Sequence, residues 1–206
     1  KDAIKYSKPP AGGFPISQHL VDMIIPQTGK AEARRLIWYR GGQQVLGLLI
    51  LSFLPGLFWL GVFRRHDKYE QEPGELLVRI YIWGMLAVLP AVLWESFFQL
   101  WMDQPSLRTT FVISFLVIGL GEETFKLAAI LISAYRSKEF NESLDGIIYG
   151  ITAALGFATL ENVFYLWSFG PDIALPRGLI AFLAHASFTG LMGFYVGQAK
   201  FSAQPI

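Results

Sequence analysis

Two adjacent glutamates and a lysine, Glu122, Glu123 and Lys126, lie in the middle of a long apolar stretch of the sequence. Spacings of three and four residues place the lysine next to both carboxylates on one face of a helix. In an apolar surrounding, two carboxylates and one ammonium group leave one glutamate paired with the lysine and the other able to exchange a proton. Such a carboxylate can act as a general base that activates water, so the motif predicts proton-transfer or hydrolytic chemistry.

Two further polar motifs interrupt apolar stretches later in the chain. Glu161 and Asn162 are adjacent, and His185 lies in a separate run of small and apolar residues. We interpret Glu161 and His185 as proton-transfer groups, with His185 also able to support an oxyanion, and Asn162 as an amide donor. The predicted catalytic residues are Glu122, Glu123, Glu161 and His185, with Lys126 and Asn162 supporting them.

The bulk composition indicates a membrane protein. Of 206 residues, 53% are hydrophobic and 16% are charged, a balance more apolar than that of ordinary soluble domains. Five continuous apolar stretches are long enough to cross a bilayer as helices. They are 44–63, 76–101, 110–135, 146–169 and 178–198.

The sequence therefore predicts an all-α fold, a polytopic transmembrane bundle of about five spanning helices. Residues 41–202 form the predicted membrane domain. Residues 1–40 are a polar and amphipathic N-terminal segment suited to the membrane surface, and residues 203–206 are a tail. The net charge of +1 gives no basic face for nucleic acid, and the absence of cysteine excludes disulfides and thiol catalysis by this sequence.

The polar groups of three predicted spans share one depth in the membrane. At 1.5 Å per residue, Glu122, Glu161 and His185 lie roughly 16, 13 and 10 Å from the face that carries the second and fourth linkers. The positive-inside rule places the first and third linkers in the cytoplasm. Ionisable residues inside a membrane are rare and usually functional, so we expect the three groups to form one site in the other half of the bilayer.

The ordered motifs resemble the PrsW family of glutamate-type intramembrane proteases, which is related to the CAAX prenyl endopeptidases. The resemblance rests on Glu122-Glu-x-x-Lys126, Phe157-Ala-x-x-Glu-Asn162, the helix of His185 and the acidic segment ending at Pro73. It implies a multi-pass protease of a bacterial cytoplasmic membrane that cleaves membrane-anchored proteins, of which anti-sigma factors are the known example, and so acts in signalling. It also implies further helices after residue 201.

The residues leave several alternatives open. The expected mechanism needs no cofactor, because the sequence contains no His-Glu-x-x-His motif. Zinc is the alternative, with Glu122, Glu161 and His185 as ligands. Outside enzymes, a transporter with a proton relay or a membrane scaffold or receptor would also use buried polar groups. The expected partners are lipid and a membrane-anchored substrate, and the oligomeric state is left open.

Overall fold

The computed structural model describes residues 30–66, 71–98 and 106–202. The chain divides into two compact units, residues 1–49 and residues 50–206. The second unit contains all the predicted site residues. Of the N-terminal segment predicted for residues 1–40, residues 1–29 lie outside the described part, and so does the predicted tail, 203–206. Residues 30–40 form the first turns of a helix.

Five helices account for most of the described residues. Two of them combine α-helical turns with π-helical turns. In the third helix, α3, which runs from Leu107 to Ser133, α-helices at Leu107–Val112 and Leu120–Ser133 flank a π-helix at Ile113–Gly119. In the fifth helix, α5, which runs from Pro171 to Ser202, a 3-10 turn and a short α-helical turn lead into a π-helix at Arg177–Ala181. An α-helix at Phe182–Ser202 follows. The five helices are α1 Lys30–His66, α2 Gly74–Phe97, α3 from Leu107 to Ser133, α4 Asp145–Phe169 and α5 from Pro171 to Ser202.

The prediction of an all-α bundle is confirmed. Among the described residues, four helices are long and apolar enough to cross a membrane, namely Gln44–Arg65, Gly74–Phe97, Asp145–Phe169 and Pro171–Ser202. The third predicted span, 110–135, is helical as expected but differs in composition. Every 18-residue stretch of α3 contains three charged residues, drawn from Arg108, Glu122, Glu123 and Lys126. The same charges that predict chemistry therefore set α3 apart from the ordinary spans.

Helix α4 lies at the centre of the second unit and packs against α2 on one side and α5 on the other. Its residues from Ile151 to Thr159 are all buried, which explains why this helix is apolar around its whole circumference. By contrast, large apolar side chains on α2, such as Leu93 and Phe97, are exposed. In a membrane protein such side chains face lipid.

Small residues bring α4 and α5 close together. A Cβ atom added at Gly193 of α5 would collide with the backbone oxygen of Gly146 on α4, and one added at Gly197 would collide with the backbone of Ser143. Small residues are the usual means by which membrane helices approach closely. The two helices are joined by a short turn at Gly170, whose φ of 89° favours glycine. This close packing fixes the register between Glu161 and His185.

Candidate active site

The first part of the site is a buried ammonium group held between two carboxylates on α3. Lys126 is fully buried, and its Nζ lies 3.1 Å from Glu122 Oε2 and 2.8 Å from Glu123 Oε1. The Phe157 ring of α4 covers the same ammonium group, with its centroid 4.3 Å from Nζ. A buried ion needs this degree of compensation, because desolvation alone would be prohibitive.

His185 connects this group to α4. Its Nδ1 lies 2.9 Å from Lys126 Nζ, and its Nε2 lies 3.2 Å from Glu161 Oε2. The imidazole ring also packs beside Phe157, with the ring centroids 5.7 Å apart. Both ring nitrogens therefore have partners, and one imidazole joins the polar groups of α3, α4 and α5. The structure thus brings together the ionisable groups that the depth estimate placed in one layer.

An arginine that the sequence interpretation left out completes the layer. Arg177 Nη2 lies 2.6 Å from Glu161 Oε2, and Arg177 Nε donates to Asn162 Oδ1 at 2.8 Å. The Tyr165 ring lies under the guanidinium group, with 3.6 Å from Cζ to the ring centroid. The side-chain amide nitrogen of Asn162 is buried and has no hydrogen-bond partner among the described residues. In this structure the side chain of Asn162 therefore accepts a hydrogen bond from Arg177. Its predicted role as an oxyanion donor stays a prediction.

Thr189 is the second residue that the interpretation missed. Its buried hydroxyl donates to Glu123 Oε2 at 2.8 Å. Arg177, His185 and Thr189 are separated by multiples of four residues, so they share one stripe of α5. Counting in steps of four from His185 would have identified both missed residues.

An open cavity gives the site access to a substrate. It has a volume of about 610 Å³ and lies between α3 and α5. Its lining is mainly apolar, but Glu122, Glu123 and His185 reach it. The other lining residues include Ser114, Phe115, Gly119, Leu120, Ala184, Phe188 and Met192. We call this cavity the α3–α5 groove.

The π-helical turns of α3 lie directly before the carboxylate pair. Wide turns of this kind leave backbone carbonyls without their usual helical partners and occur often at functional sites. Trp94 of α2 donates its indole N–H to the Val117 carbonyl at 3.0 Å. Its ring also fills the space beside Gly121, where a Cβ would lie 2.7 Å from the indole. Trp94 thus holds the segment that sets the position of Glu122.

The arrangement does not fit a resident metal ion. The point between Glu122, Glu123 and His185 Nδ1 is occupied by the Lys126 ammonium group, which already supplies the positive charge. Glu161 contacts the opposite edge of the imidazole at Nε2, so Glu122, Glu161 and His185 do not converge on one position. Among the described residues, no group of three His, Cys, Asp or Glu side chains is placed to hold a metal.

Fold and site together define a polytopic membrane protein with a charged, groove-accessible centre inside its helical bundle. A family model described as "PrsW family intramembrane metalloprotease" matches residues 72–206. The chain is 36% identical to Protease PrsW of Bacillus subtilis over 77% of its own length and 72% of the relative. It is 35% identical to Protease PrsW of Geobacillus kaustophilus, over 78% and 70% of the two chains. It is also 34% identical to Protease PrsW of Clostridioides difficile, over 76% and 67%. No solved structure matches the chain.

The chain therefore belongs to the PrsW family of intramembrane proteases. This confirms the resemblance inferred from the motifs and makes the protein a membrane-embedded peptide hydrolase of bacterial type. It also decides against the transporter and the scaffold as the main function.

Proposed function

We propose that the protein hydrolyses a peptide bond of a membrane-anchored protein, using water activated by Glu122. One observation supports Glu122 over its neighbour. Both oxygens of Glu123 accept hydrogen bonds, one from Lys126 and one from Thr189. Among the described contacts Glu122 is held only through Oε2, so its Oε1 is free of described partners, and Glu122 lines the α3–α5 groove. A carboxylate held at one oxygen can bind water with the other.

In this mechanism Glu122 takes a proton from the water molecule while the water oxygen bonds to the carbonyl carbon of the substrate. When the C–N bond breaks, the leaving nitrogen takes that proton from Glu122. Lys126 stays buried and balances the negative charge of the pair through both half-reactions. Glu161 and His185 assist proton transfer from the far side of the lysine.

The lining of the groove supports a proposal for how the substrate binds. Its mainly apolar lining suits an unwound stretch of a membrane-spanning segment, and the carboxylate pair belongs to the polar part of that lining. The family resemblance makes a membrane-anchored anti-sigma factor the first substrate to test. Cleavage of such a substrate would release a cytoplasmic transcription factor through later proteolytic steps.

The test is co-expression with a membrane-anchored anti-sigma factor, comparing wild type with Glu122→Gln. We expect the variant to accumulate normally and to cleave about 10²- to 10⁴-fold more slowly, the usual contribution of a general base. Glu139→Gln, which neutralises an exposed glutamate outside the site, should keep the wild-type rate. Normal cleavage by folded Glu122→Gln would overturn the assignment.

A chelator separates the two mechanisms. If Glu122 acts without a metal, the purified enzyme should keep its rate after treatment with a zinc chelator and after removal of the chelate. Loss of activity that zinc restores would show that a metal takes part. Such a result would require the Lys126 ammonium group to leave the position it occupies here.

A further inference from the structure

Arg177 makes three contacts that converge on one side of the site. Its guanidinium group pairs with Glu161 at 2.6 Å, donates to Asn162 at 2.8 Å and stacks on Tyr165. A planar guanidinium can satisfy two acceptors and an aromatic face together, and a lysine cannot. The arginine therefore fixes the orientation of the Glu161 carboxylate, even though it belongs to the first turns of α5.

The fixed carboxylate of Glu161 determines whether Nε2 of His185 carries a hydrogen atom. Glu161 Oε2 lies 3.2 Å from His185 Nε2 and also accepts from Arg177. A carboxylate paired with a guanidinium group is ionised and only accepts hydrogen bonds. Nε2 must therefore carry a hydrogen atom to satisfy it.

The other edge of the ring leads to the same tautomer. His185 Nδ1 lies 2.9 Å from Lys126 Nζ, and an ammonium group only donates hydrogen bonds. Nδ1 must therefore present its lone pair. The nearest carboxylate oxygen on this edge, Glu122 Oε2, lies 3.7 Å from Nδ1, which is too far to accept a hydrogen bond from it. A single tautomer, with hydrogen on Nε2 and none on Nδ1, satisfies both edges.

We propose that Arg177 is a positioning residue that acts through Glu161 and, together with Lys126 at the other edge of the ring, holds His185 in one tautomer. Three charged groups approach the ring, Lys126 and Glu122 from α3 and Glu161 from α4, and Arg177 of α5 pairs with Glu161. Of these, only the Arg177–Glu161 pair acts on Nε2. Without the guanidinium group, Glu161 loses its charged partner and can turn away or take up a proton. Lys126 then holds the tautomer alone, so the preference for hydrogen on Nε2 becomes weaker.

The tautomer can be read directly from nitrogen NMR of the full chain in lipid nanodiscs. The sequence contains three histidines, His19, His66 and His185, so protein labelled only at histidine nitrogens gives few signals. His185→Gln assigns the signals of interest. In wild type we expect two strongly different nitrogen signals for His185, with the hydrogen coupled to Nε2.

Arg177→Gln should move these signals towards each other, as the two tautomers exchange, or produce a second set. Arg108→Gln removes an exposed arginine from α3 and should leave the spectrum unchanged. If glutamine prevents folding, Arg177→Lys keeps the charge but cannot reach Glu161 and Asn162 together, and a second tautomer should again be visible. A wild-type spectrum with hydrogen on Nδ1, or an unchanged spectrum in a folded Arg177 variant, would overturn the proposal.

Activity provides the second measurement, and this arm alone rests on the function proposed above. We expect Arg177→Gln to lower kcat about tenfold with little change in KM, because Arg177 does not line the α3–α5 groove. An unchanged kcat in a variant whose tautomer has changed would show that the tautomer does not matter for hydrolysis. The spectrum requires no turnover, so it remains a valid test if Glu122 is not the base.

Discussion

Helix α4 carries ionisable groups in its first turn and about two thirds of the way along, and the two sets are used differently. Around Glu161, every hydrogen bond described above joins one side chain to another. About 24 Å along the helix, Asp145 lies in the first turn. It accepts hydrogen bonds from the backbone N–H groups of Asn141 and Glu142, both at 2.9 Å. We call the first set, formed by Glu122, Glu123, Lys126, Glu161, Arg177 and His185, the catalytic layer after its proposed role. The second set, formed by Glu72, Asp145, Tyr149 and Lys200, is the helix-end cluster.

The helix-end cluster mainly connects helices to neighbouring loop segments of the same chain. Lys200 of α5 donates to the Phe140 carbonyl at 2.6 Å, and Tyr149 donates to the buried carboxylate of Glu72. The first contact attaches the loop between α3 and α4 to α5, and the second attaches the segment before α2 to α4. In the catalytic layer, by contrast, carboxylates reach an open groove. The difference teaches that a buried charge bonded to backbone stabilises the fold, whereas a connected set of charged side chains beside a cavity can do chemistry.

The largest effect should come from Lys126→Met. Removing the buried ammonium group leaves two carboxylates without their shared partner, and breaking a buried pair in this way costs about 3–5 kcal/mol. We expect a corresponding loss in the free energy of unfolding, measured by denaturant titration in detergent, together with loss of cleavage. Lys200→Met, in the helix-end cluster, should cost only about 1–2 kcal/mol, because it removes one hydrogen bond of a partly exposed ammonium group and its contact with the Phe140 ring.

A combined variant sharpens this comparison. Glu122→Gln, Glu123→Gln and Lys126→Met together remove all three charges, so stability should recover towards the wild-type value while cleavage stays absent. If Lys126→Met is no less stable than Lys200→Met, the ammonium group does not hold the pair in the way the structure shows.

A smaller effect is expected at the helix-end cluster itself. Asp145→Ala leaves two backbone N–H groups without their acceptor, so the free energy of unfolding should fall by about 2 kcal/mol. The kcat of the protein that remains folded should not change. Asp145→Asn keeps a side-chain oxygen and should lose less stability. A fall in kcat with normal stability would place Asp145 in the chemistry and remove the distinction between the two regions.

Sequence spacing predicted the parts of the site that follow from regular helix geometry. The three- and four-residue steps from Glu122 and Glu123 to Lys126 gave the ion pairs directly, and equal depth brought Glu161 and His185 into the same layer. Arg177 falls just outside the predicted spans, because the hydropathy of the last one begins at residue 178 while the helical stretch begins at residue 171.

The π-helical turns could not be predicted from the sequence. They depend on tertiary contacts such as the hydrogen bond from Trp94 to the Val117 carbonyl, and local residue preferences carry no signal for such a contact. Nor could hydropathy distinguish the roles of the two glutamates. That distinction comes from Thr189, whose hydroxyl engages one oxygen of Glu123 and leaves Glu122 as the freer carboxylate.

The smallest expected effects come from a matched pair of hydroxyl deletions, Tyr149→Phe and Thr189→Val. Each removes one buried hydroxyl that donates to a carboxylate, Glu72 in the first case and Glu123 in the second. Both should lower the free energy of unfolding by about 1–2 kcal/mol. Only Thr189→Val should also lower kcat, by several-fold, because Glu123 then competes with Glu122 for Lys126 and for water.

The two variants are each other's control, since the chemical change and the loss of stability are similar. The measurement is kcat per folded molecule, with the folded fraction taken from the unfolding curve of each variant. Equal kcat values would mean that the hydroxyl contact to Glu123 has no more influence on hydrolysis than the hydroxyl contact to Glu72 in the helix-end cluster, and the catalytic layer would then end at Glu122. Thr189→Ser, which keeps the donor and removes only a methyl group, should restore the wild-type kcat and so show that the hydrogen bond, and not packing between α4 and α5, is responsible.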